Sequence, residues 1–208
     1  GAITLSKMGN AELKREMLPE LLTGPVCCLL YSEPNAGSDL AGVRTKADQD
    51  GDSFVINGQK VWTSDAVSAD YGMLLARTDW DVPKHQGVTF FLFPMKQPGV
   101  EIRPINQITG ESEFNEVFIT DARVPERFVI GELNEGWRSF QTAIAYERLI
   151  MGQGITERKR GAANEGVHPL IALANKAGRL HDTVFRQRIA QALAYREENR
   201  MTNERAKN

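Results

Sequence analysis

The feature that most constrains this chain is a change of hydrophobic period at Val26. From there to about Pro125 the apolar residues fall in short β-branched and aromatic runs: VCCLLYS, the tract from Arg44 to Ala47, SFVING, KVWTS, YGMLLART, GVTFFLF, VEIRPI and NEVFIT. Runs spaced roughly 8 to 12 residues apart, with D-G at Asp50-Gly51 and N-G at Asn57-Gly58, predict an antiparallel β-barrel or sandwich. On either side the period is helical. Leu13, Met17, Leu18, Leu21 and Leu22 predict one amphipathic helix between Asn10, a capping residue, and Gly24. From Trp137 the helical spacing returns with Phe140, Ile144 and Leu149, then in tracts around Leu170–Lys176 and Asp182–Arg200. The expected fold class is α+β, an antiparallel barrel flanked by helices.

Charge and composition exclude several functions. The 208 residues carry 25 Lys+Arg against 27 Asp+Glu, a formal charge of -2. A protein that coats nucleic acid needs a surplus of phosphate-neutralising cations, so none is expected as a partner. The two cysteines, Cys27 and Cys28, are adjacent and distant from any histidine. They read as free thiols, which suits a reducing compartment, and neither a zinc site nor a disulfide framework is expected. His85, His168 and His181 are isolated, without metal-ligand spacing, and read as surface or cap residues. Gly161 and Gly166 lack the Lys-Ser/Thr of a phosphate loop, and Arg158, Lys159 and Arg160 read as a solvated run. No apolar run approaches the ~20 residues of a membrane span, and the opening GAITLSKMGNAELKRE has no secretory h-region. The expectation is a soluble protein.

Chemistry is concentrated at Tyr31–Gly42, YSEPNAGSDLAG. An apolar strand runs into a turn with Pro34, Asn35 and Gly37, which gathers backbone N–H groups and the hydroxyls of Ser32 and Ser38 on one rim. Such a rim suits a planar, acceptor-rich cofactor or a phosphate, or it is an ordinary surface turn whose Ser and Asp cap the local backbone. The whole string, S-E-P-x-A-G-S-D-x-A-G, resembles the first signature of the acyl-CoA dehydrogenase family. The resemblance continues in order through INGQKVWTS, LLART and FNEVFITDARVPERFVIGELNEGW, over Leu18–Met151.

That resemblance implies a helical first domain, a middle β-barrel and a C-terminal four-helix bundle, with FAD between barrel and bundle. This chain would hold the last helix of the first domain (1–24), the whole barrel (25–133) and an incomplete start of the bundle (134–208). The implied FAD contacts are Tyr31 and Ser32 at the pyrimidine ring, Ser38 near the diphosphate and the pantetheine phosphate of CoA, Trp62 beside the isoalloxazine, and Thr63 and Ser64 from the same motif. Ser64 stands where the family places a threonine whose hydroxyl reaches flavin N5. Taken alone, Trp62 reads as a core aromatic in a strand.

The implied reaction is α,β-dehydrogenation of an acyl-CoA thioester, in which a carboxylate removes the α-proton and flavin N5 takes the β-hydride. The base needs a raised pKa in a dry cavity. Glu147, in AIAYERLIMG, lies within an apolar helical stretch and occupies the place of the catalytic glutamate in the E-R pair of the branch that includes the isovaleryl and long-chain enzymes. Its bland reading is a helical Glu neutralised by Arg148 or turned to solvent, and another branch of the family places its base further along the bundle. Arg148 is the candidate CoA-binding or site-organising cation. The stretch TERKRGAANEGVHPL lacks the family's R-x-x-F-G motif, which leaves the FAD-diphosphate partner unassigned. The resemblance further implies an acyl-CoA substrate, an electron-transferring flavoprotein as acceptor, a homo- or hetero-oligomer, fatty acid metabolism, and a cytoplasmic or mitochondrial-matrix location. Two other readings stand beside it: a flavin oxidase relative, and a non-catalytic paralogue or partner subunit that keeps the barrel as a binding module.

Overall fold

A computed structural model of the chain describes residues 1–157 and 168–205, and for 149–157 and 203 it describes the backbone alone. Arg158, Lys159, Arg160, Gly161 and Gly166 lie outside the described residues. The chain forms two compact units, Gly1–Met151 and Gly152–Asn208.

The first unit opens with helix α1, Ala2–Met8, which the sequence pattern does not announce, and α2, Ala11–Thr23. Asn10 caps α2, its side chain accepting a 2.8 Å hydrogen bond from the Leu13 amide, and Gly24 ends it. Leu5, Leu13 and Met17 are buried, whereas Leu22 is exposed.

Seven strands follow: β1 Cys27–Leu30, β2 Lys46–Asp50, β3 Ser53–Ser64, β4 Tyr71–Arg77, β5 Val88–Pro94, β6 Val100–Pro104 and β7 Phe114–Pro125. They form one curled sheet in the order β1-β4-β2-β3-β7-β6, with β5 on the other edge of β4. The sheet is mixed, which corrects the expected all-antiparallel barrel: β1 runs parallel to β4 from Cys27↔Tyr71 to Leu30↔Leu74, and β2 meets β4 in parallel at Lys46↔Arg77. Parallel pairing needs a long crossover, and residues 31–70, which include the β2–β3 hairpin, supply it. Gly72 to Arg77 of β4 and Val88 to Phe93 of β5 are buried at every position, which is why both read as continuous apolar runs rather than alternating ones. Phe90, Phe91, Phe93, Phe54 and Ile56 join Leu13 and Met17 from α2 and Phe140 and Ala143 from the next helix in one core.

That helix, α3, spans Gly136–Glu157. Its approach is fixed by the segment before it, which zips onto β5: the Ile130 amide donates to the Phe90 carbonyl at 2.7 Å and Ser139 Oγ donates back to the Ile130 carbonyl at 2.9 Å. At Gly136 the helix start touches the β5 backbone, and a Cβ there would sit 2.5 Å from the Thr89 carbonyl carbon. In the second unit His168 accepts from the Leu170 amide to cap α4, Pro169–Lys176, and Asp182 Oδ1 accepts from the Val184 and Phe185 amides ahead of α5, Thr183–Arg205. Among the described residues no helix is long and apolar enough to cross a membrane, and no His/Cys/Asp/Glu group could hold a metal ion.

Gly136→Ala is expected to push α3 away from β5 and lower folding stability by about 1–3 kcal/mol, as overpacked contacts do. Urea denaturation of the two proteins measures it.

Candidate functional site

The site is built around a break in the sheet. Strand β1 leaves the edge of β4 after Leu30, and β2 returns to that edge at Lys46, three positions further along β4. Between them the YSEPNAGSDLAG segment swings out as a turn, and Lys60 of β3 fills the gap from inside. Its ammonium, with no solvent exposure, donates to the Leu75 carbonyl at 2.8 Å, to the Tyr31 carbonyl at 3.1 Å and to Glu33 Oε1 at 2.8 Å. Glu33 in turn pins both ends of the turn: its carboxylate accepts from the Arg44 and Thr45 amides at 2.7 and 2.9 Å, and its backbone pairs with Ala36 in both directions.

Burial alone would raise the Glu33 pKa, but the Lys60 charge and the hydrogen bonds from Lys60, Thr45 and Arg44 hold the carboxyl below its usual range. Burial draws Lys60 down to about 8, with the Glu33 carboxylate pulling the other way. Both groups are charged at neutral pH, and the pair acts as one buried brace.

Two β-bulges in the β3–β7 ladder then decide what faces outward. Between the pairs Ile56↔Ala122 and Gly58↔Ile119 the extra residue lies on β7, where Asp121 has φ +50°. Asn57 bridges that bulge, its side chain donating to Asp121 Oδ1 at 3.0 Å and accepting from the Asp121 amide at 2.9 Å. Between Lys60↔Val117 and Thr63↔Asn115 the extra residue lies on β3, where Trp62 has φ +62°. Up to Lys60 the even-numbered residues of β3 point inward, as Phe54, Ile56 and Lys60 show; beyond the bulge the inward residue is Thr63, and Trp62 and Ser64 are exposed. A one-residue insertion flips the strand's faces. The Val61 amide, left out of the ladder, donates to the Ser32 carbonyl at 2.9 Å, which ties the end of β1 to the bulge.

The Val61–Ser32 bond thus sets the Ser32 backbone beside the bulge that carries Trp62, two residues before Ser64. The indole is 60% exposed and packs edge-on against the Phe114 ring, at 6.1 Å between centroids. Ser38 stands exposed on the turn, where neighbouring Asp39 pairs with Lys84 at 2.7 Å. Thr63 does not face outward with Trp62 and Ser64: its side chain is buried on the inner face, where its hydroxyl has no partner among the described residues. Tyr31 packs its ring against Phe90 and, edge-on at 5.0 Å, against Phe140 of α3. Its phenol is held above its ordinary value first by burial and then by the negative charge of Glu147. Glu147 itself is half-buried, one heptad beyond Phe140 and so on the same face of α3, and Arg148 beside it is exposed. An exposed indole offers a flat apolar face to a planar ring. A cavity of about 500 Å³ lined by Asn10, Asp52, Glu126 and Glu132 lies at the opposite end of β3 and contains none of these residues.

Sequence reading passed over Glu33 and Lys60 as working residues and did not see the bulge. A charged residue at the centre of an inward-facing strand position is the signal that marks Lys60.

Comparison with known proteins matches residues 28–122 to the family model for the acyl-CoA dehydrogenase middle domain. The chain is 48% identical over 154 residues to acyl-CoA dehydrogenase FadE34 of Mycobacterium tuberculosis, covering 74% of this chain and 22% of that protein. It is 42% identical over 202 residues to acyl-CoA dehydrogenase IpdE1 of Mycolicibacterium smegmatis, covering 91% of this chain and 50% of the relative. Among solved structures, the steroid ACAD Tcur3481-Tcur3483 superposes with a TM-score of 0.80 at 34% identity, over 98% of this chain and 52% of that one. A glutaryl-CoA dehydrogenase from Mycobacterium smegmatis, solved in complex with FADH2, matches at 0.60 and 27%, over 74% of this chain and 39% of its own. The chain thus spans about half, or less, of the length of these relatives.

Lys60→Met leaves Glu33 buried without its cation and is expected to cost about 3–5 kcal/mol in urea denaturation, with part recovered in Lys60→Met/Glu33→Gln. A second expectation concerns acid. Because the folded-state pKa of Glu33 lies below its unfolded value, its contribution is complete above the ordinary Glu range and is lost as pH falls through the lowered value. Stability measured between about pH 5 and pH 3 should fall less steeply in Glu33→Gln than in the wild type.

Proposed function

Since the chain belongs to the acyl-CoA dehydrogenase family, we propose that it forms the barrel-centred part of an FAD-dependent enzyme that dehydrogenates an acyl-CoA thioester between Cα and Cβ. The observation that carries this reading is the exposed Trp62 indole, turned out by a bulge onto the face it shares with Ser64, beside the Ser32 end of β1. A strained, exposed aromatic braced by a buried ion pair is costly to maintain, and such features gather where a ligand is held. We read residues 1–24 as the end of a preceding helical domain, 25–133 as the flavin- and CoA-binding barrel, and 134–208 as the start of a helical bundle.

In this reading Trp62 would wall the isoalloxazine, Ser32 and the Tyr31 backbone would hold its pyrimidine edge, Ser64 would serve N5, and Ser38 would serve the phosphates. Thr63 contributes through its backbone, since its hydroxyl faces inward. FAD, when bound, supplies the acceptor for the β-hydride. Glu147 removes the α-proton. Its half-buried place on the α3 face that carries Phe140 and packs on Tyr31 supports that role, because water is partly excluded there. Arg148, exposed next to it, is the cation proposed for a CoA phosphate. The acceptor in this scheme is an electron-transferring flavoprotein, and the working form is an oligomer. The likeness to a steroid dehydrogenase directs the first substrate trials to CoA thioesters of steroid acids, with fatty acyl-CoA thioesters as the comparison.

The test is flavin bleaching. The intact protein is expected to be yellow and to lose its absorbance on adding a substrate thioester; Glu147→Gln should stay yellow and bleach about 10²–10⁴-fold more slowly, the span of a lost general base. Normal bleaching in that variant removes Glu147 from the role. A colourless intact protein that takes up no FAD replaces the enzyme with a non-catalytic partner subunit.

A further inference from the structure

Trp62 is held at φ +62°, a conformation bulky residues avoid, and the flip that exposes it depends on β3 carrying one more residue than β7 between Lys60 and Thr63. Something must hold that extra residue in place. Across the ladder, paired with Thr63, stands Asn115, only 2% exposed. Its side-chain amide donates to the Thr63 carbonyl at 2.9 Å and, more weakly, to the Glu113 carbonyl at 3.4 Å. Both neighbours are acceptors, which fixes the amide nitrogen toward them, and Asn115 Oδ1 has no partner among the described residues. Asn57 bridges the other bulge of the same strand pair in a similar way, so each irregularity in the ladder has its own asparagine clasp.

We infer that Asn115 is a positioning residue: by gripping the Thr63 carbonyl it locks the β3 bulge, holds Trp62 in its left-handed conformation, and thereby presents the indole on the Ser64 face to a ring ligand. Without the clasp the strand can return to regular pairing, in which position 62 takes the same phase as Phe54, Ile56 and Lys60 and turns inward. The role rests on the flavin reading for the identity of the ligand, but not for the link between Asn115 and Trp62.

The experiment separates the two. Asn115→Leu removes the donor without burying a charge, and Asn115→Asp is the isosteric second variant. Each is made in the wild type and in a Trp62→Gly background, where a left-handed residue carries no steric penalty. The expected result is non-additivity. Asn115→Leu lowers the urea midpoint in the wild type and much less in Trp62→Gly, and it abolishes the near-ultraviolet dichroism band identified as Trp62's by its loss in Trp62→Gly. FAD affinity of the wild-type chain is expected to weaken about tenfold in Asn115→Leu, the scale of one buried hydrogen bond. Equal midpoint losses in both backgrounds with the Trp62 band intact would overturn the inference, as would unchanged FAD affinity in a variant whose Trp62 band has gone. If the coupling and the band behave as expected while the wild-type protein itself takes up no FAD, the clasp stands and the flavin reading falls.

Discussion

The structure depends on one buried ammonium. Lys60 is wholly enclosed, and burying a lone cation is prohibitively costly unless its donors find acceptors and its charge a partner. Its three bonds reach three separate parts of the chain: the Leu75 carbonyl on β4, the Tyr31 carbonyl at the end of β1, and the Glu33 carboxylate inside the turn. Glu33 carries the connection on to Arg44 and Thr45, where the chain rejoins the sheet. The pair therefore does more than neutralise charge. It closes the gap left when β1 and β2 share one edge of β4, and it shapes the turn that bears Ser32 and Ser38.

From that brace the candidate site follows by register. Lys60 is the last inward residue of β3 before the bulge; one residue later the strand has changed phase, so the position after the bulge that should be buried is exposed instead. The Val61 amide, freed by the bulge, bonds the Ser32 carbonyl, and the two halves of the site become neighbours. Tyr31, the next residue back, sends its ring the other way into Phe90 and Phe140, which seats α3 and its Glu147 against the same strand end. Sheet irregularity, a buried ion pair and helix docking thus act on a stretch of a few residues.

Much of this was legible in the sequence, and the reasons differ by element. Helix α2 was marked at both ends, by the Asn10 cap and by Gly24, because capping is local chemistry. Most strands were legible from their β-branched runs and the β2–β3 turn from Asp50-Gly51, but Asn57-Gly58 is not a turn: it lies inside β3, at the β7 bulge, and joins the SFVING and KVWTS runs into one strand. Parallel pairing of β1 with β4 was not, since Cys27 and Tyr71 are far apart in sequence and periodicity carries no information about partners. Helix α1 was missed because its seven residues are too few to show a period. At the site, Trp62 taken alone reads as core, and strict alternation agrees, since position 62 has the parity of Lys60. Only the bulge, which no local signal at Val61 and Trp62 announces, turns it outward and sends Thr63 in. The Glu33–Lys60 pair was hidden for the same reason as the strand partners: it is a contact across 27 positions.

On the proposed reading a flavin ring rests against the outward face of Trp62. Titrating FAD into the flavin-free protein while following tryptophan emission, with Trp62→Phe as the reference that subtracts Trp80 and Trp137, tests it directly. Emission from Trp62 is expected to be quenched in step with flavin uptake and to saturate at the same ligand concentration. Flavin that binds while the Trp62 component keeps its full intensity would contradict that reading.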